Sequence, residues 1–319
     1  MTKNKSTDDV QSCQTAVTGS ADFNVLSLFD GISCGQIALE EAGIDVTNYY
    51  ASEIDVHAIN VTQKNYPNTK QLGNVTNVKS NLLPKIDLLI GGSPCQGFSI
   101  AGKKLNFDDE RSKLFFEFVR LKNELKPKYF LLENVRMTDY IADAIDELLG
   151  VKRVFIDSRN FTGMIRKRFY WTNIPIKEIP CKNVLIEDLL DNHEFDRGLD
   201  FFFDRTKYEP TTSYDGIITV NPKDNNGKQT WQRGRVYDVK GNCPTICASL
   251  FDLNITRDHK TWRKLTINEC EKLQGVPKNY TEIVSKNERG KQLGNGWNVN
   301  TVAHIFSSIE QKRSYENAS

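Results

Sequence analysis

Residues 91–99 read Gly91-Gly92-Ser93-Pro94-Cys95-Gln96-Gly97-Phe98-Ser99, directly after the apolar run Ile86–Ile90. A buried strand that ends in Gly-Gly hands a Pro-Cys pair to a strand-end loop, the place where open α/β sheets build ligand sites. A cysteine there is a candidate nucleophile, because a thiolate attacks soft electrophilic carbon better than other side chains. The same residue also serves in proteins as a small, inert, buried hydrophobe. The rest of the chain favours the nucleophile. A second apolar run, Phe130-Leu131-Leu132, ends in the carboxylate Glu133, followed by Asn134-Val135. A third segment, Arg166-Lys167-Arg168-Phe169-Tyr170-Trp171, spaces two arginines on one side of an expected strand. Strand side chains alternate between faces, so residues two apart share one.

A nucleotide-type site is legible as well. Val25–Phe29 reads as a strand, Asp30-Gly31 as a glycine turn, and Cys34 onward as a helix. Gly31 lets the backbone approach a ligand closely. Glu53 ends the next strand about twenty residues on, where a carboxylate holds ribose hydroxyls. Many nucleotide folds share this pattern. No Gly-Lys-Ser/Thr phosphate loop is present, which argues against ATP.

These elements must be positioned by a sheet. Strands are expected near 24–29, 49–53, 86–90, 128–133, 152–157 and 168–174, and helices near 34–43, 55–65, 112–126 and 138–149. Such alternation predicts a mostly parallel sheet with helices on both faces. Residues 176–262 lose the pattern and carry Asp215-Gly216 and Asn226-Gly227 turns with short strand-like pieces at 217–220 and 235–239. They read as a smaller, irregular, β-rich domain. The expected organisation is a loose polar tail at 1–22, a catalytic and cofactor-binding domain at 23–175, a recognition domain at 176–262, and a segment at 263–319 that returns to the large domain.

In this order, these blocks resemble the cytosine-5 DNA methyltransferase family, together with Leu265–Pro277 as a capped amphipathic helix and Gly294-Asn295-Gly296-Trp297-Asn298-Val299 before the last helix. The resemblance runs from about residue 25 to 310, is of bacterial or phage type, and rests chiefly on Pro94-Cys95-Gln96 and Glu133-Asn134-Val135. It implies a Rossmann-like S-adenosylmethionine-dependent fold. It implies that Cys95 adds to C6 of cytosine, which makes C5 nucleophilic, and that Glu133 holds and protonates N3. The latter role needs a carboxyl with a raised pKa, which burial supplies. Arg168 corresponds to the family's arginine near the base, and Arg166 to its positioning partner. A nearby cation also helps Cys95, since a thiol with a pKa of about 8.5 is only slightly ionised at neutral pH.

The resemblance makes S-adenosyl-L-methionine the cofactor, with Phe29, Asp30, Gly31, Ile32, Glu53, Ile54, Asn74, Pro94, Leu114, Asn295, Gly296, Trp297 and Val299 around it. Leu114 and Phe115 match the family's hydrophobic wall, with helix core as the competing role. A base inside a duplex hides C6 from a thiolate, so the target must flip out. The long loop 96–111 is expected to close over the DNA, with Gln96, Ser99, Lys103 and Arg111 as contacts. In the recognition domain Arg233 and Arg235 are the candidate base readers. Thr245, in Pro244-Thr245-Ile246, matches a short signature of that domain.

The chain departs from the family in three places. Met164 stands where glutamine is usual, Asn74 where aspartate is common, and Gly296-Trp297 where Ser-Val is usual. The Trp and Ile156-Asp157-Ser158 resemble the animal de novo methyltransferases.

Charge excludes a global polyanion binder, with 42 basic against 41 acidic residues in 319. Locally, residues 205–264 hold eleven basic and six acidic side chains, a surface suited to phosphates. The seven cysteines include no C-x-x-C pair, and only four histidines are present, so no metal site is expected. An odd cysteine count fits a reducing cytoplasm, bacterial or phage-infected, and no run is long enough to span a membrane. A monomer acting on double-stranded DNA is expected, with a cognate restriction endonuclease as a further candidate partner. Two other functions stay open: an RNA (tRNA) cytosine-5 methyltransferase and a non-enzymatic DNA-binding regulator. The roughly ninety residues after 175 favour DNA, and retention of Cys95, Glu133, Arg166 and Arg168 favours an enzyme.

Overall fold

Alternate residues of the central strands face two different helical layers. The computed structural model describes residues 22–93, 110–199, 211–212, 214–221 and 232–311, without the side chains of 110–112, 211, 212, 214 and 232. In strands β1 (Asn24–Leu28), β4 (Leu88–Gly91) and β5 (Tyr129–Val135) nearly every residue is buried. Val25, Leu88, Ile90 and Leu131 join one core with helices α1 (Cys34–Glu41) and α8 (Val299–Phe306). Leu26, Leu28, Leu89, Phe130 and Leu132 join another with α3 (Glu110–Leu125) and α4 (Asp139–Leu149). A sheet covered on both faces produces continuous apolar runs, which is why these strands read so plainly in the sequence.

The main sheet has seven strands in the order β3-β2-β1-β4-β5-β7-β6, with β2 at Asn48–Ser52, β3 at Lys70–Gln71, β6 at Val154–Asp157 and β7 at Lys167–Thr172. β1 to β5 pair in parallel. The chain steps outward from β1 through β2 to β3, then returns to β4 on the other side of β1. The order reverses there, and a crevice opens at the carboxyl ends of β1 and β4. β7 runs antiparallel to both neighbours, so its first residues lie beside the last residues of β5, with Arg168 opposite Val135. Parallel insertion would have carried the arginines to the far edge. β7 and the two-residue β3 are the points where this sheet departs from a simple reading of the alternation.

Among the described residues the second sheet has six short strands in the order β8-β13-β12-β11-β10-β9: β8 Arg197–Gly198, β9 Thr211–Thr212, β10 Ile218–Thr219, β11 Val236–Asp238, β12 Asn254–Thr256 and β13 Thr261–Lys264. Val236 and Trp262 join Leu199 and Val220 in a small cluster. Tyr237, Val239 and Ile255 point the other way, into the core of α1 and α8. The sheet is thus welded to the main body by one face. Between β6 and β7 lies the short helix α5 (Arg159–Thr162). Arg159 Nη2 donates to Asp215 Oδ1 at 2.7 Å, and Lys167 also pairs with Asp215. Among the described residues no helix is long and apolar enough to cross a membrane.

Helix α6 (Ile267–Gln274) begins in a capping box, with Thr266 Oγ1 accepting from Glu269 N and Glu269 accepting from Thr266 N. The same carboxylate takes two bonds from the Arg263 guanidinium, at 2.7 and 2.8 Å, and one from Asp191 N. Both partners are buried, Glu269 fully. Removing one side of such a pair strands a charge, at about 3–5 kcal/mol. Glu269→Ala should therefore lose about that much stability in urea unfolding. A loss below about 1 kcal/mol would show that the pair is not holding β13 to α6.

Candidate active site

A cavity of about 430 Å³ occupies the crevice at the carboxyl ends of β1, β2, β4 and β5. One end is a tight turn. Phe29, Gly31 and Ser33 all have left-handed backbones, with φ of 58°, 58° and 57°. Two non-glycine residues in that region mark a turn that its surroundings must hold. Asp30 supplies much of that hold: Tyr49 Oη donates to its Oδ1 at 2.8 Å, and Ser33 Oγ donates to Oδ2. Burial pushes the Asp30 carboxyl up to about 6, against the downward pull of its bonds with Ser27, Ser33 and Tyr49.

Glu53 locks the next loop to this turn. Its Oε2 accepts Gly31 N at 2.8 Å, and Oε1 accepts Ile54 N at 2.7 Å and Asp55 N at 2.8 Å. The carboxylate is thereby fixed at the cavity wall with lone pairs to spare. Ile54, three-quarters exposed, lines the cavity beside it, with Phe29, Asn74 and Leu114. Asn74 Oδ1 accepts Thr76 N at 3.0 Å and caps a short turn. Asp55 caps helix α2 (Val56–Asn65), and its Oδ2 accepts Lys291 Nζ and Gln292 Nε2, each at 3.0 Å, from helix α7 (Lys286–Asn295). After α7, Asn295, Gly296 and Trp297 close the cavity.

At the other end lie the acid and the two arginines. Arg168 Nε forms an ion pair with Glu133 Oε1 at 2.8 Å, and both side chains are largely buried. Gly92 makes room for Trp297 and Glu133: a Cβ there would sit 2.7 Å from Trp297 Nε1 and 3.3 Å from Glu133 Oε2. Asn134 Nδ2 donates to Ser93 O at 3.2 Å and to Ser93 Oγ at 3.1 Å, which ties the end of β5 to the chain leaving β4. Arg166 lines the same cavity but is 3% exposed. It donates to the carbonyls of Gly296 at 2.7 Å, Gly294 at 3.2 Å and Ile246 at 3.4 Å. Burial, and then the Arg168 charge, push it down to about 10, so it stays cationic at neutral pH.

Of the residues singled out in the sequence, Glu133, Arg166, Arg168, Phe29, Asp30, Gly31, Glu53, Ile54, Asn74, Leu114, Asn295, Gly296 and Trp297 meet around one cavity. Ile32 and Val299 are buried in the core behind it. Phe115 likewise turns into the core, while its neighbour Leu114 takes the wall. Pro94, Cys95, Gln96, Ser99 and Lys103 lie outside the described residues, as does the side chain of Arg111. Arg233 is exposed, with Nη2 donating to Ser249 O at 3.4 Å, Arg235 is half-buried, and Thr245 Oγ1 donates to Ile165 O. Sequence reasoning missed Cys34, Asp55, Ser93 and Gln292 in the wall. Asp55 carried a signal, as a helix-capping aspartate two residues after Glu53; Gln292 carried none, since its role depends on α7 folding back.

Asp30 makes the turn sensitive to pH. A carboxyl at 3.8 when unfolded and about 6 when folded keeps its proton longer in the folded state. Its stabilising contribution is complete below 3.8 and is lost as pH rises through about 6. Asp30→Asn removes the titration. The stability of wild type relative to this variant should fall by about 1–3 kcal/mol between pH 4 and 7 and be flat above. Urea unfolding at several pH values measures this; a difference independent of pH would show that Asp30 is ionised throughout.

The profile of the C-5 cytosine-specific DNA methylase family matches residues 23–139 and 160–311. The type II methyltransferase M1.ScrFI of Lactococcus lactis subsp. cremoris is 29% identical over 318 residues, spanning 91% of this chain and 78% of the relative. The type II methyltransferase M.HhaI of Haemophilus parahaemolyticus is 27% identical over 319 residues, spanning 89% and 93%. The crystal structure of the S. pombe Dnmt2 methyltransferase superposes with a TM-score of 0.65 at 18% identity, covering 89% of this chain and 97% of that one, a likeness of fold. With the site's geometry, these matches place the chain in the C-5 cytosine-specific DNA methylase family, as a DNA cytosine-5 methyltransferase.

Proposed function

We propose that the chain methylates C5 of cytosine within a specific sequence of duplex DNA, through a covalent Cys95 adduct on a flipped-out base. One observation carries this reading. A single cavity holds the Glu53–Gly31 lock at one end and the Glu133–Arg168 pair at the other, with Ser93, two residues before Cys95 in the chain, in its wall.

S-adenosylmethionine would supply an electrophilic methyl group on a sulfonium. The residues present fit it. Glu53 offers a fixed carboxylate for ribose hydroxyls, Asn74 an amide and Ile54 and Leu114 apolar surface for an adenine, and Asn295 to Trp297 close the remaining end. Pockets of about 300–1,000 Å³ hold ligands of this size.

The chain's own groups then act in sequence. The Cys95 thiolate adds to C6, and the ring electrons move toward N3 and C5. Glu133 meets N3, with its orientation set by Arg168. The C5 electron pair would bond the methyl carbon as the methyl–sulfonium bond breaks and leaves a neutral thioether; loss of the C5 proton to a base then restores the C5–C6 double bond and releases the Cys95 thiolate from C6. The six-stranded second sheet, with exposed Arg233 and the net basic stretch 205–264, supports duplex DNA over tRNA as substrate. In this reading residues 176–262 select the target and residues 23–175 carry the chemistry. The protein works as a monomer in the bacterial or phage-infected cytoplasm, and its methylation suits a cognate restriction endonuclease as partner activity.

Tritiated methyl transfer to duplex DNA and to tRNA tests the reading; transfer to tRNA alone would overturn it. Cys95→Ala should abolish transfer yet retain DNA binding. Duplex carrying 5-fluorocytosine should form a covalent adduct with wild type and none with the variant. Residual turnover within tenfold of wild type would remove Cys95 as the nucleophile. Glu133→Gln keeps the hydrogen-bonding shape but supplies no proton, so single-turnover rates should fall by about 10²–10⁴. A normal single-turnover rate with weakened binding would make Glu133 a structural residue.

A further inference from the structure

Helix α7 stands between the cavity and the second sheet. Gly294 lines the cavity, and on its other side it meets the loop that follows Thr245. A Cβ at Gly294 would overlap the backbone of Cys247 and Ala248, lying 2.8 Å from Cys247 Cα. One helical turn earlier, a Cβ at Gly290 would overlap the ring of Phe251. Residues four apart share a helix face, so these glycines form one bare channel.

What fills the channel is a closed turn. Cys247 N donates to Leu250 O at 3.0 Å, and Leu250 N donates to Cys247 O at 2.9 Å. The turn is held at several points. Arg166 joins Ile246 O to Gly294 O, and Cys270 Sγ donates to Phe251 O at 3.4 Å. Its tip residue, Ser249, is exposed, and Arg233 donates to the Ser249 carbonyl. An exposed tip, an arginine on it, and a base seated on the cavity wall put this turn where a duplex must pass if the target cytosine enters the cavity.

Resting on the reading of the chain as a duplex DNA methyltransferase, we propose that Gly290 and Gly294 are positioning residues for target discrimination. Their bare faces set the depth at which the Cys247–Leu250 turn and Arg233 meet the DNA. The two glycines differ in a way that can be tested. At Gly290 the obstacle to a methyl group is a side chain, which can be trimmed. At Gly294 it is backbone, which cannot.

Gly290→Ala should raise KM for the target duplex at least tenfold and broaden the methylated motif in a random-site library. The kcat at saturating duplex and KM for S-adenosylmethionine should stay within about threefold. Adding Phe251→Ala to Gly290→Ala should recover most of the loss in duplex KM, whereas Phe251→Ala added to Gly294→Ala should recover none. Unchanged duplex KM and motif in Gly290→Ala would overturn the proposal, as would equal changes in both KM values. Should Gly290→Ala fail to fold, Phe251→Ala alone decides: the empty channel should loosen the motif, and an unchanged motif overturns the proposal. Wild type in the same library separates the two claims, because absence of any DNA methylation by wild type refutes the enzymatic reading and not the positioning role.

Discussion

The guanidinium of Arg166 is the contact on which the rest of the site depends. A buried charge must be satisfied, and a cation surrounded by carbonyls is satisfied only while every carbonyl stays in place. The carbonyls belong to Ile246, Gly294 and Gly296, eighty or more residues away in sequence, and Arg166 N itself donates to Asp157 Oδ1 at 3.1 Å. One side chain therefore joins the start of β7, the loop leading to the turn at 247–250, and the end of α7. Two residues on, Arg168 reaches Glu133. The acid, the wall around Trp297 and the turn at 247–250 share this joint, so none of them shifts without disturbing the others.

The antiparallel β7 explains why this joint lies beside the cavity. β5 delivers Glu133 at its carboxyl end, and β7 delivers Arg168 at its amino end. Reversing the last inserted strand brings a carboxylate and a cation from opposite strand directions onto one sheet edge. The neighbouring parallel strands supply the Asp30 turn and Glu53 at the same edge. The two ends of the cavity are thus built by two different strand-pairing rules.

Much of this was legible in the chain because the signals are local. Continuous apolar runs announced β1, β4 and β5, and Thr266 with Glu269 announced the start of α6. Glu53 followed a strand at the distance a nucleotide fold requires. The failures were nonlocal or too short. β3 has two residues, too few for any period. The spacing of Arg166 and Arg168 put both on one face of an expected strand. Arg166 instead precedes β7 and turns inward, because its carbonyl partners come from segments that no spacing rule connects to it. Leu114 and Phe115 were indistinguishable until the rotation of α3 put one at the cavity and the other in the core. Gly290 carried no signal in the sequence, and only the Phe251 ring gives it a reason.

The fate of the cysteines follows from the same burial that builds the site. Cys34 lines the cavity, yet burial pushes its thiol up to about 12. At neutral pH this thiol therefore stays protonated. Burial raises Cys243 and Cys270 as well, and both lie in the core. A thiol inside a sheet-and-helix core is therefore silenced by the packing that makes the core stable. Pro94-Cys95 follows Gly92-Ser93, the residues that leave β4, so in the proposed reading its position in the sequence carries more information than its residue type.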